Sequence, residues 1–347
     1  MKNSGAKKPI SYLINIVKAT ITVALLYWVI QSAGLMQKEG FSDFMNSIKN
    51  ASWKYLLISL LFVPIMDLVS AIKWYFIVRS KKIDVSYMRL FSYYVVGRFF
   101  NMILPSNIGG DLIRIHLLAR DTGRLAESAA IVFVERVTGL ITLVLATIAA
   151  LFAAAGIFPE LWLRWSVLVA GIGLVTLMAC LILDGIYFPV AGMFSRIHPF
   201  FQKILLKLGK MRGGIKSISA DKSIMLAAFI NSIIFYVFAV LNAWISILVF
   251  DTEVPLMTMI IAVPIIMFIM NIPVSIGNLG IMEFAFTAVL AAFGVSPSVA
   301  LSLAILMRLK SYLSAGVGAI TYQFISLNIG TKEDIKTELI AESKINS

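Results

Sequence analysis

Long apolar runs separated by short charged segments form the main pattern of this chain. Several of these runs are long enough to cross a bilayer, because a helix rises about 1.5 Å per residue and the hydrocarbon core is about 30 Å thick. The predicted spans are 12–31, 54–78, 128–155, 163–183, 224–250 and 299–325. The pattern therefore predicts an all-α polytopic membrane protein with about six to eight transmembrane helices.

Two further apolar stretches, 88–104 and 256–272, end at breaks that resemble one another. The first break reads PSNIGGD over 105–111, and the second reads PVSIGNLGIME over 273–283. Each runs from a proline through a serine to Ile-Gly and leads into a helical pattern that carries an acidic residue, Asp111 or Glu283. Proline lacks the amide donor that a helix interior needs, and glycine does not hold the chain helical. Both stretches are therefore predicted to stop being helical at these points.

Composition agrees with a membrane protein. Hydrophobic residues make up 60% of the chain, charged residues only 14%, and the mean hydropathy is +0.91. The formal net charge is +12, but the basic residues lie in short segments between apolar runs. That is the positive-inside pattern of membrane proteins, so we expect no nucleic-acid partner. Cys180 is the single cysteine, which excludes a disulfide framework or a thiolate metal site.

The distribution of basic residues predicts an orientation. Lysines precede the first apolar run and no small-residue cleavage site follows it, so we expect an uncleaved first span with a cytoplasmic N-terminus. Basic clusters at 79–89 and 196–222 predict cytoplasmic loops, whereas the turns near 160 and 252 have no such excess and are expected outside. The mixed-charge segment 331–347 is predicted to be a short, solvated cytoplasmic tail.

Charge also predicts that the two breaks lie in re-entrant hairpins. The segment 114–124 carries Arg114, Arg120 and Arg124, so it is expected on the cytoplasmic side, as is 79–89. The stretch 90–112 should therefore enter and leave the membrane on the same side. By symmetry, 256–293 should hold a hairpin that enters from the outer face.

Matching breaks in two halves of a polytopic chain point to a transporter-like binding site. Broken backbone inside a bilayer is tolerated only where protein buries it or where it lines a water-filled cavity. We therefore predict one integral-membrane domain over 1–330, with inverted half-repeats at roughly 54–160 and 224–326.

The segment 186–216 differs from the spans. Apolar residues recur there at helical spacing, with lysines between them, which predicts an amphipathic basic cytoplasmic segment. Two interpretations remain: a helix that lies on an anionic membrane surface, or an ordinary packed loop that sets the topology. The apolar positions are Phe194, Ile197, Phe201, Ile204, Leu205 and Leu208.

Ionisable residues inside predicted spans are costly, and they are functional candidates for that reason. Arg136 follows the first break by about the distance at which Arg308 follows the second, which strengthens the interpretation as an internal repeat. The expected substrate-binding residues are Arg98, Asn101, Ser106, Asn107, Gly109, Gly110, Asp111, Glu135, Arg136, Ser275, Gly277, Asn278, Gly280, Glu283 and Arg308. Asp67 and Lys73 are weaker candidates: Asp67 faces a partner helix, and Lys73 snorkels to the cytoplasmic face.

Half-helix starts and arginines together favour an anion such as a lipid phosphate. Free backbone N–H groups and the positive end of the helix dipole attract negative charge, and a guanidinium binds phosphate bidentately. Asp111 and Glu283 would oppose a bare anion, and they either contribute to the ligand site or cap their helices. The competing hypothesis is that Glu135, Arg136, Glu283 and Arg308 form structural ion pairs between packed helices.

No catalytic constellation is recognisable in the sequence. His116 and His198 fall in basic segments without a neighbouring acidic or cysteine partner, so neither a metal nor a cofactor is expected. There is no Gly-x-Ser-x-Gly elbow and no phosphate-binding loop of the Walker type. Ser106 and Ser275 have no nearby base in sequence, so they are predicted to be ligand or backbone partners rather than nucleophiles.

The two breaks, the Glu135-Arg136 pair between them, and the later Phe293-Gly294-Val295-Ser296 resemble the lysylphosphatidylglycerol synthase transmembrane-region family. These are flippase-like polytopic proteins of bacteria and archaea, and the resemblance covers about residues 12–326. The family has two adjacent glycines where this chain has Gly277 and Asn278. Bifunctional members continue into a soluble aminoacyltransferase domain that is absent here, so the resemblance implies a stand-alone, non-enzymatic member in the cytoplasmic membrane of a prokaryote.

The leading functional hypothesis is translocation of a phospholipid or lipid-linked headgroup through a polar cavity between the two hairpins. The expected partners are an anionic or aminoacylated phospholipid, or a polyprenyl-linked lipid. The first alternative is a membrane enzyme that modifies lipids in the same cavity, although the scarcity of histidines and clustered carboxylates disfavours it. The second is a scaffold for a separate synthase or glycosyltransferase, which would make the charges at the breaks dispensable.

Overall fold

The computed structural model describes residues 7–103, 109–157, 161–185, 199–272 and 274–345, together with positions 187, 189 and 192. Within these ranges the structure is helical and has no β-strand. The helices are α1 Lys7–Ser32, α2 Lys38–Lys49, α3 Trp53–Ser80, α4 Tyr87–Ile103, α5 Gly109–Thr122, α6 Leu125–Ala153, α7 Leu161–Ile182, α8 Pro199–Ala220, α9 Lys222–Ile247, α10 Leu256–Met270, α11 Ile281–Ala292 and α12 Pro297–Ile345. Short 3₁₀ turns lie at Leu248–Phe250 and Ile276–Asn278.

The prediction of an all-α polytopic membrane protein is confirmed. In the described part of the chain, five helices are long and apolar enough to cross a membrane, and these are α3, α6, α7, α9 and α12. Helix α2 was not predicted. It is short and has too few apolar residues to stand out in a hydropathy pattern. It is held by packing, since Phe44 contacts a buried cluster around Val29 and Leu301, and the Ser47 hydroxyl lies 2.9 Å from that of Ser302.

The order of helices in the first half recurs in the second. Helices α3 to α6 comprise a long helix, a short helix, a break, a short helix and a long helix, and α9 to α12 have the same order. The two halves pack crosswise, because α3 contacts α9, α4 contacts α12, and α6 contacts α10. Each half therefore supplies the neighbours of the other half's broken segment. The opposite orientation of the half-repeats in the membrane stays a prediction.

Helices α4 and α5 form an antiparallel hairpin around the first break. Near its open end, Arg89 donates to the Asp121 carboxylate at 2.8 Å, and near its closed end the Gly110 amide donates to the Asn101 side chain at 2.7 Å. The helices touch backbone to backbone, because a Cβ on Gly110 would lie 2.0 Å from the Gly97 carbonyl oxygen. The turn itself, with Pro105, lies outside the described residues.

The second break contains several residues in left-handed backbone conformations. Gly277, Asn278 and Gly280 have φ angles of 57°, 58° and 82°. Asparagine tolerates this region better than other non-glycine residues, because its short polar side chain can bond locally. The Asn278 amide indeed donates to the Met270 carbonyl at 3.1 Å. The asparagine in place of a second glycine is thus compatible with a tight turn.

The two segments predicted as peripheral are helical where they are described. Helix α8 covers the second part of 186–216, while the predicted apolar positions Phe194 and Ile197 lie outside the described residues. At its end Lys216 and Arg212 bind Asp184, and these bonds hold the pKa of the Asp184 carboxyl below its usual range. Helix α12 continues through Ile345, so most of the predicted tail is helical and continuous with the last span, and its cytoplasmic location stays a prediction.

Close packing of α12 against α4 can be tested with a matched pair of glycines. A Cβ on Gly318 would lie 2.3 Å from the Val95 carbonyl oxygen, whereas one on the exposed Gly316 would meet no described atom within 4 Å. We expect Gly318→Ala to lower the free energy of unfolding by about 1–3 kcal/mol through overpacking. Gly316→Ala should change it by less than about 1 kcal/mol. Unfolding in detergent measures both variants, and equal losses would contradict this close contact.

Candidate functional site

The first half of the protein holds a buried cluster of charges where α5 meets α6. Asp111, at the start of α5, accepts two bonds from the Arg136 guanidinium: Nε lies 2.7 Å from Oδ2 and Nη2 lies 2.8 Å from Oδ1. This fork-to-fork geometry is the strong form of a charge-assisted pair. The Asp111 carboxylate is buried, but the Arg136 side chain is 44% exposed. One edge of that guanidinium therefore remains accessible.

Arg114 and Lys73 complete this first cluster. Arg114 Nη2 lies 2.7 Å from Glu135 Oε2, and its guanidinium lies between the rings of Trp74 and Tyr94, at 4.3 and 4.6 Å from their centroids. Such stacking stabilises a cation electrostatically. Lys73 Nζ donates to the Glu135 carbonyl at 3.0 Å and lies 3.9 Å from the Glu135 carboxylate. Glu135 is thus the shared anion of two buried cations.

The prediction that Lys73 snorkels to the cytoplasmic face is wrong, because Lys73 is buried and bonded to Glu135. Arg114 was not among the predicted site residues, yet it is buried in this cluster. Arg114 lies one turn after Asp111 on the same face of α5, and their side chains contact at 3.4 Å, so it points inward with Asp111. Lys73 extends toward α6 and not toward water. The three-residue spacing of Asp111 and Arg114 could have indicated a shared face, whereas nothing in the sequence near Lys73 indicated its direction.

The second half holds a smaller cluster with the same plan. Arg308 on α12 donates through Nε to Glu283 Oε1 and through Nη2 to Glu283 Oε2 at 2.8 Å. Its Nη2 also lies 2.8 Å from the Asn278 carbonyl. Glu283 accepts from the Gly280 amide at 2.9 Å, so it caps α11 and pairs with Arg308 at once. Acid and arginine are 25 residues apart in both clusters, as expected for a repeat.

All four residues of the structural ion-pair hypothesis form ion pairs between helices, although two of their partners, Asp111 and Arg114, lie outside that set. Glu283 and Arg308 do pair. Glu135 binds Arg114 and not its neighbour Arg136, whose partner is Asp111. Consecutive residues on a helix point about 100° apart, so the side chains of Glu135 and Arg136 leave α6 in different directions. Each acidic residue that follows a break is therefore bound to an arginine of the next long helix.

A third group of polar residues, the bridge, links the two halves. Arg98 Nε on α4 lies 3.0 Å from Asp67 Oδ1 on α3. The Ser314 hydroxyl on α12 donates to Asp67 Oδ2 at 2.9 Å and accepts from Arg98 Nη1 at 3.3 Å. Asp67, which sequence analysis ranked as weak, is therefore the partner of Arg98. Because the contact joins three helices, no local sequence pattern indicates it.

Two adjoining cavities of about 300 Å³ each lie between these groups. They share part of their lining, including Arg98, Asn101, Arg136 and Asn271, so they lie side by side in one polar region. The first cavity contains the first cluster, and the second is bordered by Arg308 and by the break at Gly277. Arg98, Arg136 and Arg308 line the second cavity, and no carboxylate does so among the described residues.

Most of the predicted site residues converge on this space. Those that line it are Arg98, Asn101, Asp111, Glu135, Arg136, Gly277, Asn278 and Arg308. Others support it from behind: Gly110 through Asn101, Gly280 and Glu283 through Arg308, and Gly109 at the start of α5. Ser275 is buried, without a hydrogen-bond partner for its hydroxyl in the described part of the chain. Ser106 and Asn107 lie outside the described residues.

Several lining residues were not predicted. They are mostly neutral polar side chains on helices that looked uniformly apolar, and the first cavity contacts Ser70, Tyr94, Asn231, Ser232, Tyr236 and Asn271. Another buried cation, Lys310, donates to Asn242 at 2.9 Å and to Ser246 at 2.6 Å. Lysine, serine and asparagine residues inside the predicted spans could have indicated these positions, because polar groups inside a membrane face the protein interior.

Comparison with known proteins shows the family of this chain. The family model described as "Lysylphosphatidylglycerol synthase TM region" matches residues 15–318. The chain belongs to this family. The match includes both breaks, both arginine pairs and all the described helices from α2 to α11. The resemblance noted in the sequence is thus confirmed.

Two relatives match this chain along most of their own length. A UPF0104 membrane protein of Pyrococcus horikoshii is 20% identical over 324 residues, which cover 87% of this chain and 92% of the relative. A UPF0104 membrane protein of Methanothermobacter thermautotrophicus is 23% identical over 322 residues, covering 86% of this chain and 94% of the relative. The chain is therefore similar to archaeal membrane proteins of comparable extent.

Proposed function

We propose that this family member translocates a phospholipid or lipid-linked headgroup across the cytoplasmic membrane, through the cavity between its two hairpins. The observation that carries the proposal is the pair of adjoining polar cavities bordered by Arg98, Arg136 and Arg308 inside a helical membrane protein. An intramembrane cavity with charged walls suits a polar headgroup, while the acyl chains of the same lipid remain in the bilayer.

The charges favour an anionic group on the cargo. The acidic residues near the cavity are already paired within the protein, whereas Arg136 and Arg98 keep 44% and 33% of their side chains exposed. A partly exposed guanidinium next to an internal carboxylate can still bind one phosphate oxygen, since it presents five N–H donors. The cavity therefore presents a net attraction for a phosphate without leaving bare cations when it is empty.

The crosswise packing suggests how the site can be reached from both faces of the membrane. If the α4–α5 and α10–α11 hairpins enter from opposite sides, as the charge topology predicts, each brings an acid–arginine pair to the same central space. Transporters built from inverted repeats alternate access by moving one repeat against the other around a fixed site. Arg98 and Arg136, which line both cavities, would contact the headgroup throughout such a motion.

Reconstitution tests the proposal. Purified protein in liposomes should accelerate the exchange of fluorescent phosphatidylglycerol between leaflets. The polar groups of the cavity would replace the hydration that a headgroup loses when it enters the bilayer. Quenching of the outer leaflet by a membrane-impermeant reductant measures the exchange. Aminoacylated and polyprenyl-phosphate tracers, assayed in parallel, identify the preferred cargo. Exchange no faster than in protein-free liposomes would contradict translocation, and conversion of the headgroup would indicate the lipid-modifying enzyme instead.

A further inference from the structure

Asp67 is a buried carboxylate in the polar region, with a single hydrogen bond and a single cationic partner among the described residues. It is only 4% exposed, and its Oδ1 has no hydrogen-bond partner with suitable geometry, although Arg98 Nε lies 3.0 Å away. Its one hydrogen bond comes from the Ser314 hydroxyl. A buried carboxylate is stable only when it is well paired and hydrogen-bonded, and Arg98 is the cation that pairs with Asp67.

Asp111 and Glu283 accept more hydrogen bonds than Asp67, and Glu135 pairs with two cations instead of one. Asp111 accepts three bonds, two from Arg136 and one from Arg114. Glu283 accepts from both nitrogens of the Arg308 fork and from a backbone amide. Asp67, by contrast, has a single cation within 4 Å in the described part of the chain. This cation, Arg98, also lines both cavities, as Arg136 does.

We propose that Asp67 binds a proton when Arg98 turns from it to the anionic group of the cargo, so that lipid translocation is coupled to protons. The inference rests on the proposed function. In the empty site the Asp67 carboxylate pairs with the Arg98 cation. When a phosphate takes over Arg98, a proton from water forms an O–H bond on Asp67. One negative phosphodiester and one proton then enter together, and the net charge of the site is conserved.

Proton uptake is expected because a buried charge without a counter-charge is costly in free energy. Removing the partner of a buried ion costs several kcal/mol, roughly 3–5 in measured pairs, whereas a protonated carboxyl is neutral and can keep the Ser314 hydroxyl as a hydrogen-bond partner. Binding of the anion and binding of the proton are therefore thermodynamically linked, so each favours the other.

Several ionisable groups on the helices packed against α3 have partners of their own. These helices are α4, α6, α9 and α12. The groups and partners are Arg89 and Tyr93 with Asp121, Glu135 with Arg114 and Lys73, Arg136 with Asp111, Tyr236 with the Gly139 carbonyl, Arg308 with Glu283, and Lys310 with Asn242 and Ser246. When Arg98 moves from Asp67 to a ligand, these pairs stay in place and Asp67 is the group that loses its cation.

Proton uptake on binding tests the inference without requiring transport. Soluble dihexanoylphosphatidylglycerol is added to detergent-purified protein in weakly buffered solution, and a pH-indicator dye reports the protons. We expect about one proton taken up per lipid bound by the wild type. Asp67→Asn should take up none, while Asp84→Asn, at an exposed surface pair with Arg79, should match the wild type. Binding without uptake in the wild type, or undiminished uptake in Asp67→Asn, would overturn the inference.

Transport under a pH gradient gives a second readout. With one coupled proton, a gradient of one pH unit should enrich a trace anionic lipid about tenfold in one leaflet, since a tenfold ratio corresponds to about 1.4 kcal/mol. In Asp67→Asn the two leaflets should fill equally, whatever the absolute rate. Wild-type exchange that ignores the gradient refutes the coupling but leaves translocation intact. Failure of the wild type to bind the lipid or move it refutes the proposed function itself.

Discussion

Replacing Arg136 with glutamine should slow the leaflet exchange of an anionic lipid by about thirtyfold, which corresponds to about 2 kcal/mol of lost stabilisation. Arg136 lines both cavities. Its side chain has the largest exposed fraction of the arginines that form ion pairs at the site. Glutamine keeps much of the length but has neither the charge nor the fork geometry. The exchange assay in liposomes measures the effect directly.

The matched variant separates binding from folding. Arg136→Gln alone leaves the Asp111 carboxylate with Arg114 as its remaining cation, so part of its effect could be structural. The double variant Asp111→Asn with Arg136→Gln removes both charges and should recover stability while exchange stays slow. Arg79→Gln, at a surface pair, serves as the control and should exchange lipid like the wild type. Recovery of fast exchange in the double variant would contradict a role for Arg136 in binding the cargo.

Glu135→Ala should have the largest effect on stability, lowering the free energy of unfolding by about 3–5 kcal/mol. Glu135 is the anion that Arg114 and Lys73 share, so its loss leaves two buried cations without their counter-charge. Stacking on Trp74 and Tyr94 favours the Arg114 cation but does not replace a carboxylate. Titration of the purified protein with a denaturing detergent measures the loss.

Glu127 provides the control on the same helix. It lies in the first turn of α6, and its partly exposed carboxylate pairs with Lys81 and Arg124 near the surface. Glu127→Ala should cost less than about 1 kcal/mol, because pairs near water are largely solvated. Adding Lys73→Met to Glu135→Ala removes one of the orphaned cations and should restore part of the stability. Equal losses at Glu127 and Glu135 would contradict the burial of the first cluster.

Much of the architecture follows from local sequence features. Hydropathy predicted the long helices, since burial in lipid requires about 20 apolar residues in a row. Proline and glycine predicted where α4 and α10 end, because their backbone limits are intrinsic to each residue. The arginines at 136 and 308 were recognised by their similar distance from the breaks, and their acidic partners were among the predicted site residues.

The pairing of charges was decided by the tertiary structure. Sequence placed Arg114 and Lys73 outside the site and ranked Asp67 low, because a charged residue is assigned by the loop or span around it. Its actual partner depends on how neighbouring helices are rotated and how far they are displaced along their axes. The Gly97–Gly110 contact fixes that position for α4 and α5.

The sequence by itself thus determined a helical membrane protein with two broken segments and an arginine after each. Only the tertiary structure joined Asp67 to Arg98 and Ser314 across three helices, and only it created the space that Arg98 and Arg136 share. Helix formation and its interruption are local properties of the backbone. Ion pairing and cavity formation arise between segments far apart in the chain, where no local pattern records them.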